Sequence, residues 1–225
     1  LRSFKYKSYD AGLSALSSLI SRTRTSKPDT IVYKELVADI LISGISIYEY
    51  VLGQIDNKSP DLLYLFNGRF AVNRAILDAA IEKQIPFKIH ERGSSKWRYV
   101  SNPWMPHDVD RGREEMLRHW KNQENAQKVQ IAKQYFIDRR RGLEQSWKVY
   151  VAHQEKGCIP VLPTEKRILA YFSTNDEEFA ALSDRRRWDR WPDQLTAFNE
   201  LVELVAKHSE LHLVIRLHPG KDQSH

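Results

Sequence analysis

The stretch Leu62-Leu63-Tyr64-Leu65-Phe66-Asn67-Gly68-Arg69 decides the fold that we predict for this chain. Its apolar run stops abruptly at a turn-forming Asn-Gly pair, a pattern typical of a strand buried on both faces of a parallel sheet. A helical period follows over residues 71–83, and residues 85–90 indicate a second strand. Strand, helix and strand joined by short loops predict a parallel βαβ unit.

Two helical periods precede this unit. Apolar residues recur at helical spacing over residues 6–24 and 30–52, and Ser26-Lys27-Pro28-Asp29 separates the two runs with turn chemistry. Residues 31–55 are the most apolar part of the chain, but they include Lys and acidic residues that are costly in hydrocarbon. We therefore interpret this run as a buried helix of a soluble protein rather than as a membrane span.

A second βαβ pattern lies downstream. Residues 108–145 predict a strongly charged helical region, broken near residues 122–125, that we interpret as a bridge. Beyond it, the sequence predicts a strand over residues 167–172, a helix over 192–208 and a strand over 211–217. The repetition predicts an α/β chain of two Rossmann-like domains with a cleft between them.

The second predicted domain is too short to be complete. A domain of this kind typically needs upwards of about 120 residues, yet only seven residues follow His218. We expect residues 1–150 to form the N-terminal domain, with the helical pair and the bridge. Residues 160–225 would be the start of the C-terminal domain, in a chain cut from a longer protein at both ends.

The composition of the chain indicates a cellular compartment and a class of binding partner. The chain has 225 residues, a formal net charge of +6 and one cysteine, Cys158. A single cysteine forms no intramolecular disulfide, and no secretory signal pattern opens the chain, so a reducing cytoplasm is expected. The positive charge favours an anionic partner: nucleic acid, a phosphorylated metabolite or an anionic membrane surface.

Polar residues follow each predicted strand at its carboxyl end, where open parallel sheets bind their ligands. The four clusters are Asn67-Gly68-Arg69, His90-Glu91-Arg92-Gly93, Ser173-Thr174-Asn175-Asp176-Glu177 and Arg216-Leu217-His218-Pro219-Gly220. Strands also end in polar turns for structural reasons, so one cluster alone indicates little. Their recurrence at four strand ends is the main functional signal in the sequence.

The fourth cluster is the most specific. His218 directly follows a buried strand and precedes a proline, so its imidazole can offer an N–H group to a phosphate, with Arg216 nearby. Ser173 and Thr174 end the neighbouring strand and can offer hydroxyl and backbone N–H groups to the same anion. A purely structural role for His218, as the end of the strand, is the alternative.

These clusters also resemble a known family. The blocks are Phe66-Asn67-Gly68-Arg69, His90-Glu91-Arg92-Gly93, Tyr171-Phe172-Ser173-Thr174-Asn175-Asp176-Glu177-Glu178-Phe179 and Ile215-Arg216-Leu217-His218-Pro219. In this order they look like the blocks of bacterial capsule polysaccharide biosynthesis proteins of the GT-B glycosyltransferase type. The His-Pro pair is also similar to the pair that bacterial sialyltransferases, Kdo transferases and teichoic-acid glycerophosphotransferases place at the nucleotide phosphate. The resemblance runs over residues 6–219.

The resemblance implies sugar transfer from a nucleotide-sugar donor to a growing bacterial surface polysaccharide or its lipid-linked precursor, without a metal or a resident cofactor. The resemblance implies that Ser173, Thr174 and His218 bind the phosphates of the donor, and we predict that Asn175, Arg216 and Pro219 belong to the same site, with His218 as a catalytic residue. It also implies that Asn67, Arg69 and Glu91 lie on the acceptor side, where we predict Gly68 and Arg92 as well. Glu91 is the candidate general base for the acceptor hydroxyl, and an ion pair with Arg92 is its structural alternative. The His-Pro pair tilts the expected donor toward a cytidine nucleotide.

Two other functions would also suit the predicted fold: that of a nucleotide-sugar epimerase and that of a non-catalytic interaction module. Nucleic acid is not expected as a partner, because the arginine runs at 139–141 and 185–187 are accompanied by acidic residues. The expected location is the cytoplasm, with peripheral contact at the anionic inner face of the cytoplasmic membrane as a further expectation.

Two smaller patterns have a structural and a functional interpretation. Asp108-Val109-Asp110 matches a metal-binding Asp-x-Asp pair, but its place before a predicted helix favours a role at the helix N-terminus. Four tryptophans lie in predicted loops or at the ends of elements, where stacking on sugar rings is an alternative to a place in the core. They are Trp97, Trp104, Trp188 and Trp191.

Overall fold

The structure is a computed structural model that describes residues 1–93, 97–143, 161–175, 177, 181, 191 and 193–218. Within these residues it is a mixed α/β chain. The chain divides into two compact units. The first unit comprises Leu1–Ser18 and Thr30–Val149, and the second comprises Leu19–Asp29 and Tyr150–His225.

The described part of the chain contains six helices and five strands, and it includes each helix and strand that the sequence predicts. In chain order these are α1 (Ala11–Thr23), α2 (Lys34–Lys58), β1 (Leu63–Phe66), α3 (Ala71–Glu82), β2 (Phe87–Arg92), β3 (Tyr99–Asn102), α4 (Val109–Asn122), α5 (Asn125–Arg140), β4 (Arg167–Phe172), α6 (Gln194–Ala206) and β5 (Leu211–Arg216).

The sheet of the first unit has the order β1-β2-β3. β1 and β2 are parallel, with Leu63 opposite Phe87 and Phe66 opposite His90. The predicted pairing of these two strands is therefore confirmed. The sequence did not predict β3, which pairs with β2 in the antiparallel direction. The sheet is consequently mixed rather than purely parallel.

One face of this sheet is covered by α3. Leu65 of β1, Ile89 of β2 and Leu77 of α3 form a buried cluster. The opposite face is open within the described residues, where the side chains of Tyr64 and Phe66 are 51% and 44% exposed. The prediction that β1 is buried on both faces is therefore wrong, because the helical layer covers one face only.

A second core lies between α2 and α3. It combines the aromatic and aliphatic side chains of α2 with small residues of α3, which let the helices approach closely. Tyr9, from the segment before α1, stacks on Tyr48 of α2 with 5.5 Å between the ring centroids. This packing fixes the N-terminal segment against the helical layer that supports the sheet.

Helix α2 buries one of its faces. Among the described residues it is the one helix long and apolar enough to cross a membrane, by length and composition, and 22% of its most apolar stretch is buried. Val37, Tyr48 and Ile55 lie on the buried face, whereas Ile42 and Tyr50 are exposed. The interpretation of this helix as part of a soluble core stays a prediction.

The charged region forms the two helices α4 and α5, with a break at Gln123 and Glu124 as predicted. No residue of either helix is buried in the described structure. Asp108 caps α4, and its carboxylate accepts a hydrogen bond from the backbone N–H of Arg111 at 3.1 Å. This geometry confirms that the first acid of the Asp-x-Asp sequence serves the helix N-terminus.

The second unit contains the parallel pair β4 and β5, joined in sequence through α6. Arg167 lies opposite Leu211, and Phe172 lies opposite Arg216. Tyr171 of β4 packs on Phe198 of α6, with 5.5 Å between the ring centroids. Each unit thus contains one parallel βαβ arrangement, and the described strands form small sheets of three and two strands rather than two full Rossmann sheets.

Candidate functional site

The structure joins the first two predicted clusters at the carboxyl ends of β1 and β2. Asn67 is 4% exposed, and its amide donates a hydrogen bond to Glu91 Oε2 at 2.7 Å. The backbone N–H of Arg69 lies 3.3 Å from Asn67 Oδ1. Asn67 has a φ of 61°, a left-handed conformation that asparagine tolerates better than most residues. The turn after β1 therefore aims the Asn67 amide at Glu91.

Gly68 has a packing role in this turn. Its φ is 83°, and a Cβ atom there would lie 3.1 Å from Ile89 Cδ1 and 3.4 Å from Leu77 Cδ2. Glycine is required both by the backbone conformation and by the core beneath it. Arg69 follows with its guanidinium 4.6 Å from the centre of the Phe70 ring. Gly68, one of the predicted acceptor-side residues, thus has a structural role, because it allows the turn after β1 to pack on the core.

Glu91 is oriented through both of its carboxylate oxygens. Oε2 accepts from the Asn67 amide, and Oε1 accepts from the backbone N–H of Arg92 at 2.9 Å. A carboxylate oxygen has two lone pairs, so each can accept a further hydrogen bond. This arrangement suits a base that must be held at a fixed angle to a substrate hydroxyl.

A shallow depression lies beside Glu91 on the open face of the sheet. The aromatic and basic residues that line it with Glu91 are Phe66, His90, Arg92, Trp97, Arg98 and Tyr99. The His90 imidazole stacks on the Tyr64 ring, with 4.9 Å between the centroids and 8° between the planes. Sequence reasoning missed Arg98 and Tyr99, because they reach the depression only through the pairing of β3 with β2.

The other two predicted clusters meet at the carboxyl ends of β4 and β5. Ser173 Oγ accepts a hydrogen bond from the backbone N–H of His218 at 2.6 Å. The backbone N–H of Ser173 donates to the carbonyl of Arg216 at 3.0 Å. The predicted neighbourhood of Ser173 and His218 is therefore present, and the Ser173 hydroxyl keeps its own hydrogen as a donor.

Gln194, at the start of α6, also contributes to this site. Its side-chain oxygen accepts from the backbone N–H of Thr174 at 2.7 Å and from the Tyr171 hydroxyl at 3.1 Å, and its amide donates to the Thr174 carbonyl at 3.1 Å. The backbone N–H groups of Ser173 and Thr174, which the sequence assigned to a phosphate, are thus used inside the protein. The groups of this site that can still bind an anion are the hydroxyls of Ser173 and Thr174 and the side chains at the end of β5.

The N-terminus of α6 carries its own carboxylate. Asp193 accepts hydrogen bonds from the backbone N–H and the hydroxyl of Thr196, both at 2.8 Å. The Lys27 amine, 2.6 Å away, holds the pKa of Asp193 well below its usual range. A charged carboxylate occupies the position where a helix N-terminus would otherwise attract a phosphate. The N-terminus of α6 is therefore already capped by an acidic side chain of the protein itself.

Of the other predicted donor residues, Asn175 and Arg216 lie within the described part of the chain. Asn175 Oδ1 accepts from the backbone N–H of Glu177 at 3.2 Å, so its side chain shapes the turn after β4. Arg216 is exposed at the end of β5. Pro219, Asp176, Cys158, Trp188 and the arginine run at 185–187 lie outside the described residues. Among those described, no group of three His, Cys, Asp or Glu side chains is placed to hold a metal ion.

One buried charge cluster was not singled out from the sequence. Asp78 of α3 is 4% exposed, and it accepts from Arg74 Nε at 2.7 Å and from the backbone N–H of Asp10 at 2.8 Å. Burial raises the pKa of Asp78, and the guanidinium of Arg74 opposes that rise. These contacts fasten the N-terminal segment to α3, so we interpret the cluster as structural.

Comparison of the chain with protein-family models, with curated proteins and with solved structures gives no match.

Proposed function

We propose that the chain is part of a metal-independent glycosyltransferase of the GT-B type, with two Rossmann-like domains. In this proposal it transfers a sugar from a nucleotide-sugar donor to a growing bacterial surface polysaccharide, such as a capsule, or to its lipid-linked precursor. One observation supports this most directly. In each unit, polar residues from the carboxyl ends of two parallel strands are hydrogen bonded to each other, Asn67 to Glu91 and Ser173 to His218.

In this proposal the second unit binds the nucleotide-sugar donor. Ser173, Thr174, Arg216 and His218 offer hydroxyl, guanidinium and imidazole donors at one edge of the β4–β5 pair. Negative charge builds up on the nucleotide phosphate as the bond to the sugar breaks. Donors already in place stabilise that charge more than they stabilise the bound substrate, and this difference lowers the barrier.

In this proposal the first unit binds the acceptor. Glu91 takes the proton of the attacking hydroxyl, while the Asn67 amide holds the carboxylate in the required orientation. Arg92 and Arg69 stand beside this pair and are assigned to the polar groups of the acceptor. The hydroxyl oxygen then attacks the anomeric carbon of the donor sugar, and the nucleotide leaves with the electrons of the broken bond.

The test is the replacement of His218 by alanine in the full-length protein. A donor to a developing charge is worth on the order of 2 to 4 kcal/mol, so His218→Ala should slow transfer by roughly a hundredfold or more and weaken donor binding much less. His208→Ala is the matched control, because His208 lies before the amino end of β5 and contacts Glu210 at 3.0 Å. Near-normal transfer by a folded His218→Ala protein would contradict the assignment.

Two further measurements separate the competing functions. If the protein converts the nucleotide sugar to its epimer when no acceptor is present, the function is that of an epimerase rather than a transferase. Absence of calorimetric binding by every nucleotide sugar in a panel of cytidine, uridine and guanosine donors would favour an interaction module. Within that panel we expect the cytidine donor to bind most tightly.

A further inference from the structure

The open face of the three-stranded sheet presents aromatic and basic side chains together. Side chains alternate along a strand, and directly opposed residues share a face. Phe66 opposes His90, and Arg92 opposes Tyr99, so all four lie on this face. Tyr64 shares it through its stacking on His90. Tyr99 is 68% exposed, which makes this a surface of accessible rings rather than a second core.

Trp97 extends the same surface from the connection between β2 and β3. Its side chain is 90% exposed, and its φ is 66°, a left-handed conformation that is rare and costly for a bulky residue. Neither burial nor backbone preference accounts for a tryptophan at this position, where Asn or Gly would suit the backbone better. An exposed aromatic ring beside a depression is, however, well suited to stacking on a ring-shaped ligand.

The charges around the depression are mainly positive. Arg92 and Arg98 line it, and the hydrogen bond from the Gly93 N–H to the Arg98 carbonyl, 2.9 Å, holds the two arginines at the base of the same hairpin. Glu91 is the acid that lines the depression, and both of its oxygens already accept hydrogen bonds. The balance of charge is therefore complementary to an anionic ligand.

We propose that this surface binds an anionic glycan, whose sugar rings stack on Trp97 and Tyr99 and whose carboxylate or phosphate groups pair with Arg92 and Arg98. The inference rests on the proposed function, because it names the chemical class of the acceptor. A polynucleotide suits the surface less well. Two arginines beside exposed rings can pair with a few separate anionic groups, whereas a polynucleotide presents a continuous row of phosphates that needs a longer basic surface.

The experiment compares charged sugars with their uncharged counterparts. Calorimetry on the full-length protein would use tetragalacturonic acid against its methyl ester, and mannose 6-phosphate against mannose. We expect at least one charged probe to bind about tenfold or more tightly than its neutral partner, and its affinity to fall as salt is raised.

Three variants test the residues. Trp97→Asn, Arg92→Gln and Arg98→Gln should each weaken binding of the charged probe by about tenfold or more, the loss expected for one stacking or charge-assisted contact. Asn suits a left-handed φ, so Trp97→Asn should unfold at the same or a higher temperature than the wild type. Trp120→Ala and Arg113→Gln, both on α4, are matched controls that should bind as the wild type does.

Several results would overturn the inference. The inference is wrong if neither charged probe binds at millimolar concentration, or if charged and neutral probes bind equally tightly. It is also wrong if the α4 controls lose as much affinity as the three variants. Finally, it is wrong if a single-stranded oligothymidylate binds more tightly than the glycans and its binding depends on Trp97. Binding of a nucleotide sugar by the wild-type protein is measured separately. If the nucleotide sugar binds but the anionic glycans do not, only this inference is wrong. If the nucleotide sugar does not bind either, the proposed function is wrong as well.

Discussion

Gly44 of α2 provides the sharpest test of the packing in the first unit. A Cβ atom at this position would lie 2.3 Å from the hydroxyl oxygen of Tyr9 and 3.1 Å from its Cζ atom. Tyr9 is fully buried, and its hydroxyl contacts Ser14 Oγ at 2.8 Å and the Ala71 carbonyl at 3.0 Å. Gly44→Ala therefore forces a buried, doubly hydrogen-bonded side chain to move.

The expected cost follows from two opposing effects. Alanine is favoured over glycine in a helix interior by about 1 kcal/mol. Overpacking costs about 1–3 kcal/mol, and disturbing the two buried hydrogen bonds adds about 1 kcal/mol for each bond that breaks. If at least one of these hydrogen bonds breaks, the free energy of unfolding should fall by about 1–4 kcal/mol. Gly53→Ala is the matched control, because a Cβ atom there would have nothing within 4 Å apart from its chain neighbours and the backbone of its own helix, so the same helix should gain up to about 1 kcal/mol.

Urea unfolding of the two variants measures this difference directly. A third protein, with Tyr9→Phe and Gly44→Ala together, removes the oxygen atom that the new methyl group meets. The cost of Gly44→Ala should then be smaller in the Tyr9→Phe background than in the wild type. If Gly44→Ala were as stabilising as Gly53→Ala, the close approach of α2 to Tyr9 would be wrong.

Three other predictions concern charged side chains. Asp78→Ala should destabilise the chain by about 3 kcal/mol in urea unfolding, because among the described residues it leaves the largely buried Arg74 with the more distant Asp10 as its remaining acidic partner; a loss no larger than that of Asp78→Asn would contradict this. Hydrogen bonds from Ser8 and Tyr48 lower the pKa of Glu82, so their contribution to stability is complete above its ordinary value of about 4.3 and is lost as the pH falls through the lowered value. Glu82→Gln should therefore flatten the decline of the urea midpoint in that acid range, and an unchanged decline would exclude the contacts. Asp193→Ala should make the amide hydrogen of Thr196 exchange several-fold faster, whereas Asp193→Ser, which keeps a capping oxygen, should preserve its protection.

The predictions that hold are those that depend on a few neighbouring residues. The period of apolar residues determines whether a segment is helical or extended, and a short helical connection requires the strands on either side to run parallel, as β1 and β2 do. The acid before α4 could be assigned to the helix N-terminus because a cap acts within one turn. Polar clusters at strand ends were recognisable for the same reason.

Contacts between distant residues decided the rest. β3 was missed because its four residues lack a strong alternation and become a strand only by pairing with β2. The use of the Thr174 N–H by Gln194, twenty positions away, depends on where α6 begins relative to the end of β4. The same holds for the open face that carries Tyr64 and Phe66: an apolar run records that a strand can be buried, but only the tertiary structure determines which face another layer covers. Sequence thus determined the elements and the chemistry at their ends, whereas packing determined which donors are already used and which rings meet solvent.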